Sequence, residues 1–233
     1  MRFRKFLHGY FALTALFILL SVAGQANALP EGFVYLEEVI PNVKIDLRYY
    51  SVNNFVGERI EGYLAPRCIL TKEVAEALRK VQEDLKPFGL GLKIYDAYRP
   101  QQAVNHFVRW AKDLQDTRMK SKFYPEIEKR DLFSQGYIAE KSSHTRGSTI
   151  DLTIVSMTSE GIARELYMGT GFDFFSPKSR PDDLSMAPAQ RAQRLLLQTL
   201  MKKHGFNPHP QEWWHFTLKN EPYPDTYFDF PVR

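Results

Sequence analysis

The sequence has only one cysteine, Cys68, among its 233 residues. A single cysteine excludes an intramolecular disulfide, so the fold must be held by its hydrophobic core, by a bound metal, or by both. No activating base lies near Cys68 in the sequence, which argues against a catalytic thiol. We therefore expect Cys68 to be a small buried hydrophobic residue.

The chain also lacks an apolar run long enough to span a bilayer comfortably, which takes roughly 20 residues. Its main apolar run, about residues 11–23, follows a short basic stretch and precedes an A-x-A site that ends at Ala28. This order is typical of a secretory signal peptide, and no cysteine follows it to carry a lipid. We predict that residues 1–28 are removed. Residues 29–233 would then form one exported domain, periplasmic or secreted, without a stable membrane anchor.

Little net charge remains once the predicted signal peptide is removed. The whole sequence has a formal charge of +4, and the signal peptide contains three basic residues and no acidic one, so the mature chain is near +1 (4 − 3). A nearly neutral domain lacks the electrostatic footprint of a nucleic-acid-binding protein. We therefore expect no nucleic-acid partner.

Helical and strand-like patterns are interspersed along residues 29–233, without an internal repeat. Apolar residues recur at helical spacing after Thr71, after Arg99-Pro100 and in Pro188–His204. The pattern predicts an α+β fold, a single domain with a central, mainly antiparallel sheet flanked by helices. The strand-like runs are Phe33–Glu38, Lys44–Tyr50, Leu92–Tyr95, Ser148–Val155 and Trp213–Leu218.

Two of the six histidines have neighbours that suit a metal site. His144 belongs to a run that ends at Asp151, and His215 ends the segment Glu212-Trp213-Trp214-His215. Two imidazoles and one carboxylate form a common catalytic zinc set that leaves a position for water. Glu212 is placed to act as a general base. For it to meet His215 the chain must turn before the final strand, because positions i and i+3 face opposite sides of a strand.

The composition alone leaves a plainer alternative open, an ordinary strand end with a tryptophan in the core. We expect the other histidines to be lost with the signal peptide or to be structural. They are His8, His106, His204 and His209.

Taken together, the motifs resemble those of the zinc D-Ala-D-Ala peptidases. Ser-Ser-His-x-Arg-Gly-Ser, followed by Glu-Trp-Trp-His, is similar to the VanX-type D-alanyl-D-alanine dipeptidases in particular. The resemblance covers about residues 36 to 218. Other matching segments are Asp46-Leu47-Arg48-Tyr49, Asn53-Asn54-Phe55 and Tyr95-Asp96-Ala97-Tyr98-Arg99-Pro100.

The resemblance implies one zinc ion per chain, located at the sheet and bound by His144, Asp151 and His215. It further implies that Glu212 is the catalytic base and that Arg99 stabilises the oxyanion. Zinc lowers the pKa of a bound water to about 7, which supplies a nucleophile at neutral pH. Without the resemblance, a surface ion pair would be the plainer role for Arg99.

The resemblance also implies that Ser142 and Ser143 line the substrate site. Asp173 is a candidate for holding the substrate ammonium group, and a loop cap is an equally open role for it. One residue departs from the family, which usually has alanine where this chain has Thr149. The added bulk would cost about 1–3 kcal/mol if the surroundings did not adjust.

The activity that follows is hydrolysis of the small dipeptide D-alanyl-D-alanine to two D-alanines, in cell-wall peptide turnover or in glycopeptide resistance. An alternative is a D,D-carboxypeptidase or endopeptidase of the same superfamily that acts on peptidoglycan stem peptides. A more remote alternative is a non-catalytic, zinc-containing wall-binding module, although structural zinc usually has four protein ligands. The absence of a G-x-S-x-G elbow argues against a serine hydrolase.

Overall fold

A six-stranded, mainly antiparallel sheet forms the centre of the fold. The computed structural model describes residues 28–158 and 161–233 of the chain. The strands are β1 (Phe33–Tyr35), β2 (Lys44–Ile45), β3 (Ile69–Thr71), β4 (Leu90–Asp96), β5 (Thr149–Met157), β6 (Ala163–Glu165), β7 (Phe206–Pro208) and β8 (His215–Leu218). The sheet order is β2-β4-β5-β8-β7, with β6 also paired to β5, and only the β2–β4 pair is parallel.

Strands β1 and β3 form a second, separate antiparallel sheet. The described residues contain five α-helices. They are α1 (Leu36–Val39), α2 (Lys72–Leu85), α3 (Gln101–Lys112), α4 (Lys120–Phe123) and α5 (Pro188–Lys203). Helix α2 buries one apolar face that includes Val74, Leu78 and Val81, and it contacts β4 and α5. Gly205, with φ 91°, follows the end of α5. The predicted α+β class with a central antiparallel sheet is confirmed.

Several boundaries differ from the sequence prediction. The run Lys44–Tyr50 is a strand only over Lys44–Ile45, because Arg48–Tyr50 forms a 3₁₀ turn that buries Tyr49. The predicted strand from Phe33 ends at Tyr35, where α1 begins. The short strands β3, β6 and β7 were not predicted, since three residues are too few for a clear period of two.

Residues Phe33–Arg233 form one compact unit. Cys68 is fully buried within it, as predicted, and burial raises the pKa of its thiol. The predicted signal peptide, residues 1–28, lies outside the described residues except for Ala28. None of the helices in the described part of the chain is long and apolar enough to cross a membrane.

The pairing of β5 with β8 places the candidate site on the sheet. Its register sets Thr149 opposite Thr217 and Asp151 opposite His215. Side chains alternate along a strand, so these two pairs share one face while Ile150 points to the other. A slip of one residue would move Asp151 to the opposite face of the sheet.

Candidate metal centre and active site

A 3₁₀ turn over Ser143–Arg146 presents the His144 side chain just before β5 begins. The Ser142 hydroxyl accepts a hydrogen bond from the His144 backbone N–H at 3.3 Å and so caps the turn. The turn ends at Gly147, which has φ 75°. A Cβ atom at this position would lie 2.3 Å from the Phe33 ring, so only glycine fits there.

Three donor atoms converge from this turn, from β5 and from the start of β8. His144 Nε2 lies 3.2 Å from Asp151 Oδ2, and His215 Nδ1 lies 3.2 Å from Asp151 Oδ1. The two ring nitrogens, His144 Nε2 and His215 Nδ1, are 3.3 Å apart. Zinc bonds of about 2.0–2.1 Å in a tetrahedral arrangement separate the ligand atoms by roughly 3.3 Å. The spacing of the three groups therefore fits one metal ion.

The hydrogen bonds around the histidines leave the inward nitrogens free to bind a metal. His144 Nδ1 lies 2.7 Å from the Ala97 carbonyl oxygen, so Nδ1 carries the proton and donates it, and Nε2 keeps its lone pair. Burial lowers the pKa of His144, which favours the neutral imidazole that a metal needs. Asp151 Oδ1 is buried and makes no hydrogen bond. A cation between these atoms would satisfy an oxygen that is otherwise costly to bury.

Glu212 lies beside this group without belonging to it. The His215 backbone N–H donates to the Glu212 carbonyl at 3.3 Å, which closes the turn that the sequence required before β8. Glu212 Oε2 is 3.3 Å from His215 Nδ1. Burial raises the pKa of the Glu212 carboxyl, against the opposing effect of His215. A carboxylate with a raised pKa next to a metal site suits a general base.

Arg99 forms an ion pair, but a buried one. Its Nε and Nη2 atoms each lie 2.9 Å from Asp96 Oδ2, and Nη2 lies 3.6 Å from Asp151 Oδ2. The guanidinium also stacks over the rings of Tyr49 and Phe107, at 4.9 and 5.3 Å. The side chain is held rigidly, and its positive charge lies next to the candidate metal ligands.

Asp173 adds a second buried carboxylate to the cavity wall. It adopts a left-handed backbone conformation with φ 57°, which is uncommon for a residue other than glycine. Its Oδ2 atom accepts a hydrogen bond from the Tyr49 hydroxyl at 3.0 Å. Burial, followed by the nearby charge of Asp151, raises the pKa of Asp173 well above its ordinary value. This carboxyl group would gain from a cation brought in by a ligand.

These groups surround a cavity of about 240 Å³. The structure brings all eight residues of the predicted site to its walls, although their roles remain predictions. They are Arg99, Ser142, Ser143, His144, Asp151, Asp173, Glu212 and His215. A typical pocket for a drug-sized ligand has roughly 300–1,000 Å³, so this one suits a smaller molecule.

Sequence reasoning missed other residues of the site. His209, which we expected to be structural, lines the cavity, with its ring centre 5.0 Å from that of His215. Burial lowers the pKa of His209 to about 4. Only its flanking prolines marked it in the sequence. Tyr49 and Asp96 lie in motifs that carried the resemblance, which gave them no role. Asp96 is fully buried and accepts a 2.6 Å hydrogen bond from Tyr63.

Comparisons with known proteins find relatives that match nearly all of residues 30–233. A family model described as D-ala-D-ala dipeptidase matches residues 30–233. A D-alanyl-D-alanine dipeptidase of Streptomyces coelicolor is 41% identical over 200 residues, which cover 86% of this chain and 98% of that protein. One of Enterococcus faecalis is 41% identical over 204 residues, which cover 88% of this chain and 100% of that protein.

Among solved structures, similarity is found to the LdcB LD-carboxypeptidase, whose structure was described in connection with peptidoglycan recognition. The TM-score is 0.40 at 19% identity, over 84% of this chain and 72% of that chain. A likeness this distant carries no argument about activity.

Proposed function

The chain belongs to the D-ala-D-ala dipeptidase family, a metallopeptidase family, and from this premise we propose that it is a zinc enzyme that hydrolyses D-alanyl-D-alanine to two D-alanines. The observation that carries the proposal is a group of three side chains, two imidazoles and one carboxylate, whose nearest nitrogen and oxygen atoms lie 3.2 to 3.3 Å apart, with a further carboxylate beside them. Such a group supports a catalytic zinc site, because catalytic zinc takes three protein ligands and keeps one position open.

We assign the zinc ligands to His144, Asp151 and His215. Two imidazole nitrogens and one carboxylate oxygen suit zinc among the divalent metals. When bound, zinc acts as a Lewis acid that lowers the pKa of a coordinated water to about 7 and polarises a carbonyl. The Ala97 carbonyl fixes the orientation of His144, and the Ser143 hydroxyl lies 3.4 Å from the outer nitrogen of His215.

Glu212 and Arg99 would carry the chemistry that the protein itself supplies. Glu212 takes a proton from the attacking water as its oxygen adds to the peptide carbonyl carbon. Arg99 stabilises the negative charge that develops on the carbonyl oxygen, which a fixed cation in a dry site does well. The carbon–nitrogen bond then breaks, and Glu212 delivers its proton to the leaving amine. One free amino acid leaves with the new carboxylate, and the other with the amine.

A free dipeptide has a charge at each end, and the cavity has a candidate partner for each. We assign the ammonium group to Asp173 and the carboxylate to the end of the cavity lined by Ser142 and Ser143. Lys141 also lines the cavity, and its Nζ lies 4.9 Å from the Tyr227 ring centre. No acidic side chain among the described residues forms an ion pair with Lys141. It therefore adds a positive charge for the carboxylate.

The alternative within the superfamily is a D,D-carboxypeptidase or endopeptidase. Such an enzyme needs no free ammonium group on its substrate. The buried carboxyl group of Asp173 would then have no cationic group of the substrate to bind. The small cavity also favours a dipeptide over a longer stem peptide. A non-catalytic zinc module is disfavoured because three ligands with a fourth carboxylate nearby is not a closed structural site.

We further propose that the enzyme is exported by its signal peptide and acts outside the cytoplasm. Recovery of D-alanine from cell-wall turnover fits that location better than removal of a cytoplasmic precursor. Protease protection of the chain in intact cells, compared with lysed cells, tests the location. A protected chain that retains residues 1–28 and stays in the cytoplasm would contradict export.

The activity is tested on purified residues 29–233 loaded with zinc. Release of free alanine, of either configuration, is measured from D-Ala-D-Ala, from L-Ala-L-Ala, from N-acetyl-D-Ala-D-Ala and from D-Ala-D-Ala amide. We expect rapid cleavage of the free D,D-dipeptide alone. Preference for the acetylated compound would instead establish a carboxypeptidase. No release from any of the four, with zinc bound, would overturn the proposed substrate class.

A further inference from the structure

A buried arginine on helix α5 joins the two ends of the loop that carries Asp173. We call residues 168–180 the Asp173 loop. Arg194 is 2% exposed, and its Nε donates to the Met168 carbonyl at 2.6 Å. Its Nη1 donates to the Arg180 carbonyl, also at 2.6 Å. One rigid guanidinium therefore fixes the distance between the carbonyl groups of the first and last residues of the loop.

No carboxylate among the described residues forms a close ion pair with Arg194, although the charge of Asp183 acts on it from a greater distance. Its Nη2 atom is buried and makes no hydrogen bond. Burying a cation without a counterion in contact is unfavourable, and here burial lowers the pKa of Arg194 against the opposing charge of Asp183. An apolar side chain would fill the same space without that cost. What the arginine provides, and an apolar residue would not, is the pair of hydrogen bonds to the loop ends.

The base of the Asp173 loop is also tied to the segment that carries Glu212. The Trp213 indole N–H donates to the Thr170 hydroxyl at 2.9 Å, and the Trp213 backbone N–H donates to the Ser179 carbonyl at 3.0 Å. Thr170 and Ser179 are joined by their hydroxyls at 3.0 Å. Arg194 and Trp213 thus restrain the same loop base from two elements.

Within the restrained loop, Asp173 occupies a backbone conformation that needs support. A residue other than glycine with φ 57° persists only when the surroundings determine it. Its neighbour Phe172 packs against Tyr95 and Trp214, with ring centres 4.8 and 5.5 Å away. The Tyr49 hydroxyl then holds the Asp173 carboxyl group in the cavity.

We infer that Arg194 is a positioning residue that sets the place of the Asp173 carboxylate and thereby the preference of the enzyme for a free ammonium group. This inference rests on the proposed dipeptidase function. Arg194 does not line the cavity and acts through the loop ends alone. It links a specificity determinant at the active site to an outer helix.

The test is steady-state kinetics of Arg194→Met and Arg194→Lys with D-Ala-D-Ala and N-acetyl-D-Ala-D-Ala. For Arg194→Met we expect KM for the free dipeptide to rise about 10- to 100-fold, because a misplaced Asp173 carboxylate loses its charge-assisted contact with the substrate ammonium group. We expect kcat and zinc content to stay close to those of the unchanged protein, because the metal ligands lie outside the loop. The preference for the free over the acetylated substrate should shrink by the same factor. Lysine can donate hydrogen bonds but lacks the planar guanidinium that reaches both carbonyl groups. Arg194→Lys should therefore restore part of the preference for the free substrate.

Two further variants separate positioning from simple destabilisation. Arg191→Met removes an exposed arginine from the same helix and should leave the kinetics unchanged. Asp173→Asn combined with Arg194→Met should have the same KM as Asp173→Asn alone, because both act on one interaction. Independent, multiplying effects would overturn the inference, as would a fall in kcat with KM unchanged. If Arg194→Met does not fold, Arg194→Lys takes its place, alone and combined with Asp173→Asn.

The experiment also distinguishes failure of the Arg194 inference from failure of the proposed dipeptidase function. Failure of the unchanged protein to prefer the free D,D-dipeptide would refute the proposed function itself. A clear preference in the unchanged protein, retained in full by both Arg194 variants, would refute only the role of Arg194.

Discussion

Thr149 and Thr217 face each other across β5 and β8, with their hydroxyl oxygens 2.8 Å apart. Two residues further along β5, the same register sets Asp151 opposite His215. The threonine pair therefore belongs to the same face of the sheet as two predicted metal ligands. Thr149 is fully buried, whereas Thr217 is partly exposed.

This difference in burial predicts an asymmetry between two isosteric substitutions. Thr217→Val leaves the Thr149 hydroxyl buried without a partner, so we expect the free energy of unfolding to fall by about 1–3 kcal/mol. Thr149→Val leaves the Thr217 hydroxyl able to reach water, and we expect a loss of about 0–1 kcal/mol. Replacing both should be nearly neutral, since no polar group is left unpaired. Urea unfolding of the four proteins measures the cycle.

Thr153→Val is the matched control for this cycle. Thr153 lies on β5, is fully buried, and its hydroxyl already has no hydrogen-bond partner. Its replacement by valine should be neutral or stabilising. Equal losses at positions 149, 153 and 217 would show that the hydroxyl pair contributes nothing.

Glu212 is expected to affect turnover without affecting metal binding. Glu212→Gln keeps the size of the side chain but cannot accept the proton, so we expect kcat to fall about 100- to 10,000-fold. Zinc content, measured by atomic emission, should stay at one ion per chain because the three ligands are unchanged. Glu73→Gln, at an exposed position on α2, is the control. Near-normal turnover of the Glu212 variant would remove this residue from the mechanism.

Removal of the metal is expected to lower stability as well as activity. The site gathers the Asp151 carboxylate and two imidazoles at 3.2 to 3.3 Å, so a cation bound there stabilises the folded chain. At a zinc concentration about 100 times its Kd, the gain is about 2.7 kcal/mol. Thermal unfolding in chelator and in zinc measures the difference. His144→Ala should show much less dependence on zinc, and an equal dependence would place the ion elsewhere.

Much of the site could be predicted from the sequence, because its residues lie in short segments with a recognisable order. The proposed zinc ligands come from a turn and two adjacent strands, and Glu212 is three residues from His215. Residues that act across long sequence separations were missed. The bonds of Tyr49 to Asp173 and of Arg194 to Met168 span 124 and 26 residues. No local pattern indicates such contacts.

In the fold, too, the elements that depend on distant contacts were the ones missed. Helices α2, α3 and α5 were predicted because their apolar periods extend over several turns. A three-residue strand such as β3 depends on pairing with β1, which is distant in the sequence. We expected the bulk of Thr149 to lower stability only if its surroundings did not adjust. The structure instead gives its hydroxyl a partner in Thr217, which sequence order alone does not place opposite it.

Asp173→Asn tests the ammonium site through two opposite effects, of which the first is on binding. Asparagine tolerates the left-handed conformation and can still accept a hydrogen bond from Tyr49, so the loop should keep its shape. Loss of a charge-assisted contact with the substrate ammonium is worth about 1.5–3 kcal/mol, so KM for D-Ala-D-Ala should rise about 10- to 100-fold. The rate with N-acetyl-D-Ala-D-Ala should not fall, because that substrate has no ammonium group.

The second effect is on stability and depends on pH. Burial raises the pKa of Asp173 in the folded chain above its unfolded value of about 3.9. At pH values between the unfolded and the folded pKa, the folded chain therefore binds more protons than the unfolded chain. The stabilising contribution is complete below about pH 4, and it is lost as the pH rises through the folded pKa. Asparagine has no proton to lose, so in chelator the Asp173→Asn variant should become progressively more stable than the unchanged protein as the pH rises. The exposed Asp182→Asn substitution should show no such trend. Parallel stability curves for the Asp173 variant and the unchanged protein would mean that this carboxyl group ionises normally. Its burial would then not prepare it for a cationic ligand.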